Sequence, residues 1–384
     1  MAPKRLSKSK KIEKEVRKLL SIKNFKVIIN EPVPNAYSAP FKVYMDLTFA
    51  CQAKCPFCLY TNTGKNKTQS LNWELCKKTI KEAGKVGVFA FKFGGGEPLL
   101  YPYFWQAVKI ARQNNIFVST STNSYSITNK EIRMLKKYHV KISVSIEGLK
   151  KNDEKLRGEG HFDRAVETVK TFKNEGIDVR FQTNVTSRTI KEIPLLVELA
   201  KKIGVKIKLR YIKPIGRAGI NNFSLKFTDA DRYLKLITFL NRKDILPWVD
   251  LDESLMLYQP KEISLKLYNG IMCGAANRTL HINPHGEVRP CIFLGDKFLA
   301  GKININNSLM DFWRGKNSSA FLKVRKLLPP KECFNCERIC FNECPSLRII
   351  GRGSNKKQGV NCLKEMMRHA SPNSLKEFRQ LLNK

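Results

Sequence analysis

Residues 41–58 read FKVYMDLTFACQAKCPFC, and the reading of this stretch decides the fold. It opens with a short β-rich run from Phe41 and passes at once into a loop with three cysteines. Cys51, Cys55 and Cys58 fall within eight residues. Three soft thiolates so close together suit an iron–sulfur cluster better than tetrahedral zinc, which wants a fourth ligand nearby. None is near in the sequence: the first histidine is His139, and Cys76 falls on the helical stretch that follows. A cubane held by three cysteines keeps one iron open to a substrate or cofactor. A zinc knuckle completed from elsewhere in the chain is the competing reading.

Outward from that loop, β-rich runs alternate with amphipathic helical runs. The strands expected after FKVYMDL are VFAFKF from Val88, IFVSTST from Ile116, VKISVSI from Val140, DVRFQTN from Asp178 and VKIKLRY from Val205. Helical patterns such as NWELCKKTIKEAG, YFWQAVKIARQN and KEIPLLVELAKKIG fill the gaps, with Gly84, Gly176 and Gly204 placed to stop them. Six strand–helix units imply an α/β fold, either a doubly wound sheet or an incomplete (β/α) barrel. In both, the chemistry belongs at the C-terminal ends of the strands, where the three cysteines lie.

Composition narrows the class. The chain has 384 residues, 70 Lys and Arg against 33 Asp and Glu, and a net charge of +37. Only the first 24 residues form a basic block, with nine basic and two acidic side chains. That block reads as a solvated arm or as a site for an acidic partner. No transmembrane run or secretory signal is visible, so a cytoplasmic protein without membrane attachment is expected. Eleven cysteines without an export signal argue for metal rather than disulfides. Seven of them lie beyond residue 270, in a stretch of short elements that reads as a small metal-stapled domain. The expected organisation is a basic arm over 1–40, a barrel over 41–235, a linking segment over 236–270, a cysteine-rich domain over 271–370 and a tail over 371–384. Cys76, on an apolar helical stripe, reads as core.

CxxxCxxC with Phe57 before its last cysteine, at the end of a first strand, resembles the radical S-adenosylmethionine (radical SAM) superfamily. Further matches follow in that family's order: Gly95-Gly96-Glu97 after the second strand, Ser145 and Glu147 after the fourth, Arg157 in KLRGEG, and Asn184 in FQTNVT. The resemblance implies a partial (β/α)6 barrel, with S-adenosylmethionine chelated to the open iron of a 4Fe–4S cluster on Cys51, Cys55 and Cys58. It gives Gly95, Gly96 and Glu97 to the methionyl amino group, and Ser145, Glu147 and Arg157 to the ribose and carboxylate. Phe57 is implied near the adenine. One electron would then release a 5′-deoxyadenosyl radical. RYIKPIGRA, residues 210–218, resembles a segment of quinone-cofactor and haem-precursor enzymes of the same class, and reads equally as a turn closing the sixth strand.

The late cysteines resemble the SPASM domain appended to radical enzymes that mature peptides and proteins. Cys333, Cys336, Cys340 and Cys362 would hold one auxiliary 4Fe–4S cluster, and Cys273, Cys291 and Cys344 another. His281, His285 or Asp296 could complete the second, unless its iron is open to substrate. The spacing between Cys336 and Cys340 is two residues shorter than the family's usual one. Structural zinc sites are the alternative. The function expected from the resemblance is modification of a ribosomally made peptide or protein, with haem-precursor or sulfatase maturation as rivals. Expected partners are an acidic peptide or protein, a one-electron donor such as flavodoxin or ferredoxin, and a separate peptide-recognition chain. A nucleic-acid-binding protein is the alternative from another class, suggested by the charge and opposed by the lack of an RNA-binding module.

Overall fold

The structure, a computed structural model, describes residues 36–60, 69–251, 255, 273–316, 318–326, 344, 346 and 363–382. In chain order the first elements are β1 (Lys42–Thr48), α1 (Trp73–Lys85), β2 (Ala90–Gly95), α2 (Phe104–Gln113) and β3 (Phe117–Thr122). Next come α3 (Asn129–Lys137), β4 (Lys141–Ser145), α4 (Lys150–Arg157), α5 (His161–Asn174), β5 (Val179–Val185), α6 (Ile193–Ile203) and β6 (Lys206–Tyr211). A short α7 (Arg217–Ile220), α8 (Ala230–Leu240) and β7 (Val249–Leu251) follow. The described C-terminal elements are β8 (Thr279–Ile282), β9 (Glu287–Arg289), β10 (Gly301–Lys302), α9 (Leu309–Trp313), α10 (Ala320–Arg325), α11 (Leu363–Arg368) and α12 (Pro372–Leu382). All six expected strands form within two residues of their sequence positions.

The chain divides into two compact units. The first joins Met1–Phe49, Thr68–Thr120 and Gly274–Lys326. Its strands run in the order β10-β9-β8-β1-β2-β3. β1 pairs in parallel with β2 and β8, whereas β9 is antiparallel to β8 and β10. Val43, Met45 and Leu47 alternate along β1 and are fully buried, one face of a pleated strand. Cys76, Thr79, Ile80 and Ala83 form the buried stripe of α1, and the Cys76 thiol lies 3.7 Å from the Met45 sulfur. Cys76 is therefore core, as expected. Each large apolar side chain sealed this way contributes about 1.5–3 kcal/mol. Gly84 does not stop α1. The helix runs through it to Lys85, because Gly84 is where Asn114 packs: an added Cβ would sit 2.7 Å from the Asn114 Cβ.

The second unit joins Ala50–Lys67, Ser121–Cys273 and Leu327–Lys384. Its strands β4-β5-β6-β7 are all parallel. α6 ends as read from the sequence, on Gly204 in the left-handed conformation with its N–H bonded to Ala200. The boundary drawn at 235 falls inside α8, whose buried stripe (Tyr233, Leu234, Leu236, Ile237, Leu240) crosses it without a break. Residues 249–251 then extend the sheet, pairing with β6, so the start of the expected linking segment is part of this unit. α4 is a helix that strand–helix patterning did not anticipate; it is eight residues long and carries six charged side chains. Residues 1–35 of the basic arm, most of residues 252–272, and Cys333, Cys336, Cys340 and Cys362 lie outside the described residues.

Candidate functional site

In the second unit, the loop after β1 carries Cys51, Cys55 and Cys58 as free thiols. It is held by the segment after β6. Arg217 N–H donates to the Cys58 carbonyl (2.9 Å) and Asn221 Nδ2 to the Pro56 carbonyl (2.7 Å). Gly216 makes this approach possible: its φ is +60°, and an added Cβ would lie 2.0 Å from the Leu59 carbonyl oxygen. Below the loop, Cys55 and Phe57 pack in one apolar cluster with Leu156, Ile212, Ala218 and Phe223. The 210–218 segment is thus more than a closing turn; it clamps the cysteine loop.

Strand alternation supplies the polar side of the site. Ser143 and Ser145 of β4 pair with Arg180 and Gln182 of β5, so these residues and Asn184 share one face. Glu147, just past β4, is 1% exposed and collects four donor contacts. They come from Arg157 Nη2 (2.7 Å), Asn184 Nδ2 (2.9 Å), Asn184 N–H (3.0 Å) and Thr183 Oγ1 (3.4 Å). The Arg157 guanidinium also places Nη1 3.8 Å from the Cys55 sulfur and lies 5.3 Å from the centre of the Phe57 ring. Asn123 Nδ2 donates to the Cys51 sulfur at 3.5 Å. A supporting layer lies behind: Asp153 accepts the Glu147 N–H and the His161 Nδ1, both at 2.6 Å, with Asp153 and His161 fully buried. Tyr125, whose hydroxyl donates to the Arg157 carbonyl, stands beside His161. Sequence reading missed Asn123, Thr183, Asp153 and His161. Asp153 and His161 had a signal in the DEKLRGEGH run around Arg157, but nothing in the spacing marks either as buried.

Electrostatics follow from this burial. Burial pushes the Cys55 thiol up, and Arg157 opposes it. Burial likewise holds the Glu147 carboxyl above the usual carboxylate range, with the Arg157 charge and the Arg157 and Asn184 hydrogen bonds pulling it back. Burial works against the charge on Arg157, but Cys55 and Glu147 hold it above its ordinary value.

The first unit carries the glycine-rich turn. Gly94 and Gly95 end β2 against β1, and the N–H of Gly96, the next residue, donates to the Thr48 carbonyl at 2.7 Å. Gly95 has φ +122°, and a Cβ there would come within 2.3 Å of that same oxygen. Glu97 is 1% exposed. Of the residues weighed as a fourth cluster ligand, His281 bonds Asp46 through Nε2 (2.7 Å), Asp296 pairs with Arg289 (2.7 Å), and His285 meets the Phe49 ring edge-on. The Cys291 sulfur accepts the Phe293 N–H, and Cys344 contacts Ser346 at 2.9 Å.

The donor set fits a cubane. Three free thiols carried on one eight-residue stretch would each take a corner iron of a cubane. N–H donors from Arg157 and Asn123 already face two of the sulfurs, the contact that favours the thiolate form a cluster needs.

Comparison with known proteins gives the same reading. Residues 45–200 match the model of the radical SAM superfamily, and residues 273–337 match that of the SPASM iron–sulfur cluster-binding domain. The mycofactocin maturase of Mycobacterium tuberculosis is 29% identical over 310 residues, 80% of this chain and 78% of that one. The subtilosin biosynthesis protein AlbA of Bacillus subtilis is 25% identical over 340 residues, 85% and 71% of the two chains. In fold, the chain resembles Streptococcus suis SuiB, solved with its precursor peptide SuiA: TM-score 0.68 and 19% identity, over 92% of this chain and 86% of that one. That likeness carries the partial-barrel fold. The chain carries a radical SAM domain over residues 45–200 and a SPASM iron–sulfur cluster-binding domain over residues 273–337.

Proposed function

We propose that this radical SAM enzyme takes hydrogen from a carbon of a ribosomally made peptide, as a step in that peptide's maturation. The observation that carries the reading is the Cys55–Arg157–Glu147 chain of contacts beneath a clamped three-cysteine loop. Names of the relatives support the peptide: one is a maturase of mycofactocin, another serves the biosynthesis of the bacteriocin subtilosin. When bound, the 4Fe–4S cluster and S-adenosylmethionine supply a 5′-deoxyadenosyl radical by one-electron cleavage of a carbon–sulfur bond.

The chain's own residues bind, orient and exclude water. Cys51, Cys55 and Cys58 would hold the catalytic cluster as thiolates. Arg157 compensates the thiolate charge and fixes Glu147, which keeps a buried acceptor facing the Asn184 edge of β5. Gly95 gives the backbone at the end of β2 an approach that a side chain would block, and Gly96 and the buried Glu97 follow it. Phe57, buried and braced edge-on by Phe223 at 5.6 Å, is the residue we assign to pack near the adenine. Cys273, Cys291, Cys333, Cys336, Cys340, Cys344 and Cys362 are the proposed auxiliary ligands. Among the described residues no helix is long and apolar enough to cross a membrane. A cytoplasmic site of action, a flavodoxin or ferredoxin as electron donor and a separate peptide-recognition chain complete the reading.

The test is isotope transfer. Perdeuterated peptide and perdeuterated RNA are incubated in separate reactions with enzyme and S-adenosylmethionine, and the 5′-deoxyadenosine is weighed by mass spectrometry. Deuterium from the peptide is expected. Deuterium from the RNA alone overturns the peptide and leaves the radical chemistry standing.

A further inference from the structure

We infer that Asn123, at the exit of β3, is a positioning residue that sets the reduction potential of the centre on Cys51, Cys55 and Cys58. The inference rests on the reading that these three cysteines hold the catalytic cluster. That centre takes up one electron for each S-adenosylmethionine cleaved. The one-electron reductant that supplies it is oxidised by one, and no proton moves.

Three features of the second unit carry it. The first is the contact itself. Asn123 is 5% exposed, and its Nδ2 lies 3.5 Å from the Cys51 sulfur. An N–H that faces a ligating thiolate steadies negative charge on the sulfur. The sulfurs carry more of that charge once an electron has entered. The donor therefore favours the reduced state and raises the potential.

The second feature is that the amide is held one way round. Its Oδ1 accepts the Tyr125 N–H at 3.1 Å, which turns Nδ2 toward the sulfur. Nδ2 also reaches Gln52 Oε1 at 3.3 Å, and Gln52 Nε2 in turn donates to Ser126 Oγ. Both N–H groups of Asn123 are thus spent on Cys51 and the residue after it. The backbone beneath is fixed as well. Ser124 takes a left-handed φ of +61°, with its N–H on Thr122 Oγ1 (3.0 Å) and its hydroxyl on the Asn123 carbonyl (2.7 Å). Thr122 and Ser124 are both buried. A buried serine kept in this conformation points to a loop whose shape serves a site.

The third is the contrast with the other donor. Arg157 also faces a sulfur, with Nη1 3.8 Å from Cys55, but Glu147 matches its charge at 2.7 Å. A paired cation and anion exert little net field on the centre. Tyr125 and Gln52, which orient the Asn123 amide, are neutral, so orienting it adds no negative charge beside the sulfur.

The experiment is a redox titration of the full chain, anaerobically reconstituted, with its iron counted. The midpoint is read from the electron paramagnetic resonance signal that S-adenosylmethionine perturbs, which marks the open-iron centre among the clusters. Asn123→Leu keeps the size and loses the donor, and should make reduction about tenfold less favourable, a midpoint ~59 mV below the parent. Asn123→Asp puts a negative oxygen in place of the N–H and should fall further. Ser126→Ala loses only the link to Gln52 and should stay within about twofold of the parent. The midpoint is judged on whichever Asn123 variant keeps the parental iron. A midpoint equal to the parent's, or an equal drop in Ser126→Ala, overturns the inference. Loss of iron in both Asn123 variants also overturns it, because the amide would then serve assembly and not potential. A parental signal that S-adenosylmethionine leaves unchanged, with Cys51→Ala keeping the parental iron, overturns the cluster reading itself and is distinct from either result.

Discussion

Replacing Arg157 by Met tests the electrostatics of the site directly. The Arg157 side chain is 9% exposed and its partner Glu147 1%, so the substitution strands a buried carboxylate. Removing one partner of a buried pair costs roughly 3–5 kcal/mol. Glu147 keeps the Asn184 and Thr183 donors, which argues for the low end, about 3 kcal/mol. At ~2.1 cal/mol/K per residue the 384-residue chain has an unfolding entropy of about 0.8 kcal/mol/K, so this lowers the Tm by about 4 °C. The pH dependence has a definite sign. Burial already holds the Glu147 carboxyl above its unfolded value, and losing Arg157 raises it further. An acid raised in the folded state binds extra protons there, so stability is kept below the unfolded pKa and lost as pH rises through the folded one. The deficit of Arg157→Met relative to the parent should therefore be small near pH 4 and largest at about pH 8. The double variant Glu147→Gln/Arg157→Met removes the stranded charge and should recover most of the loss. Thermal melts of cluster-free protein across pH measure all of this. A deficit that does not change with pH, or a double variant worse than the single, refutes the argument.

Gly216→Ala must push the Leu59 and Cys58 carbonyls away, and should lose about four iron per chain after anaerobic reconstitution. Gly295→Ala, where an added methyl meets nothing within 4 Å, should keep its full iron content. The Cys76 thiol, pushed up to about 12 by burial, stays protonated at neutral pH. A thiol probe at about pH 8 should spare Cys76 in the folded chain and label it after denaturation, as read by peptide mapping.

The strands were legible because their side chains alternate: Val43, Met45 and Leu47 against Tyr44, Asp46 and Thr48 give a period of two that needs no tertiary context. The three-cysteine loop was legible because its ligands are local in sequence. α4 was not legible, since its buried side is only Asp153 and Leu156 and no apolar stripe marks it. Gly84 misled because a glycine that admits a neighbouring side chain looks, in sequence, like one that ends a helix. The clamp was out of reach for another reason. Gly216, Arg217 and Asn221 touch residues 56–59 from more than 150 positions away, and only the fold brings them together. Asp153 and His161 were hidden because charged residues read as surface until a partner is seen.

The central claim is that Cys51, Cys55 and Cys58 hold the cluster that cleaves S-adenosylmethionine. The most direct measurement is 5′-deoxyadenosine formation with dithionite by anaerobically reconstituted parent and Cys55→Ala. Iron content and the electron paramagnetic resonance spectrum of the reduced enzyme are recorded alongside. The account predicts that Cys55→Ala loses about four iron and all 5′-deoxyadenosine formation while its auxiliary-cluster signals remain. A Cys55→Ala enzyme that still makes 5′-deoxyadenosine at the parental rate would contradict it.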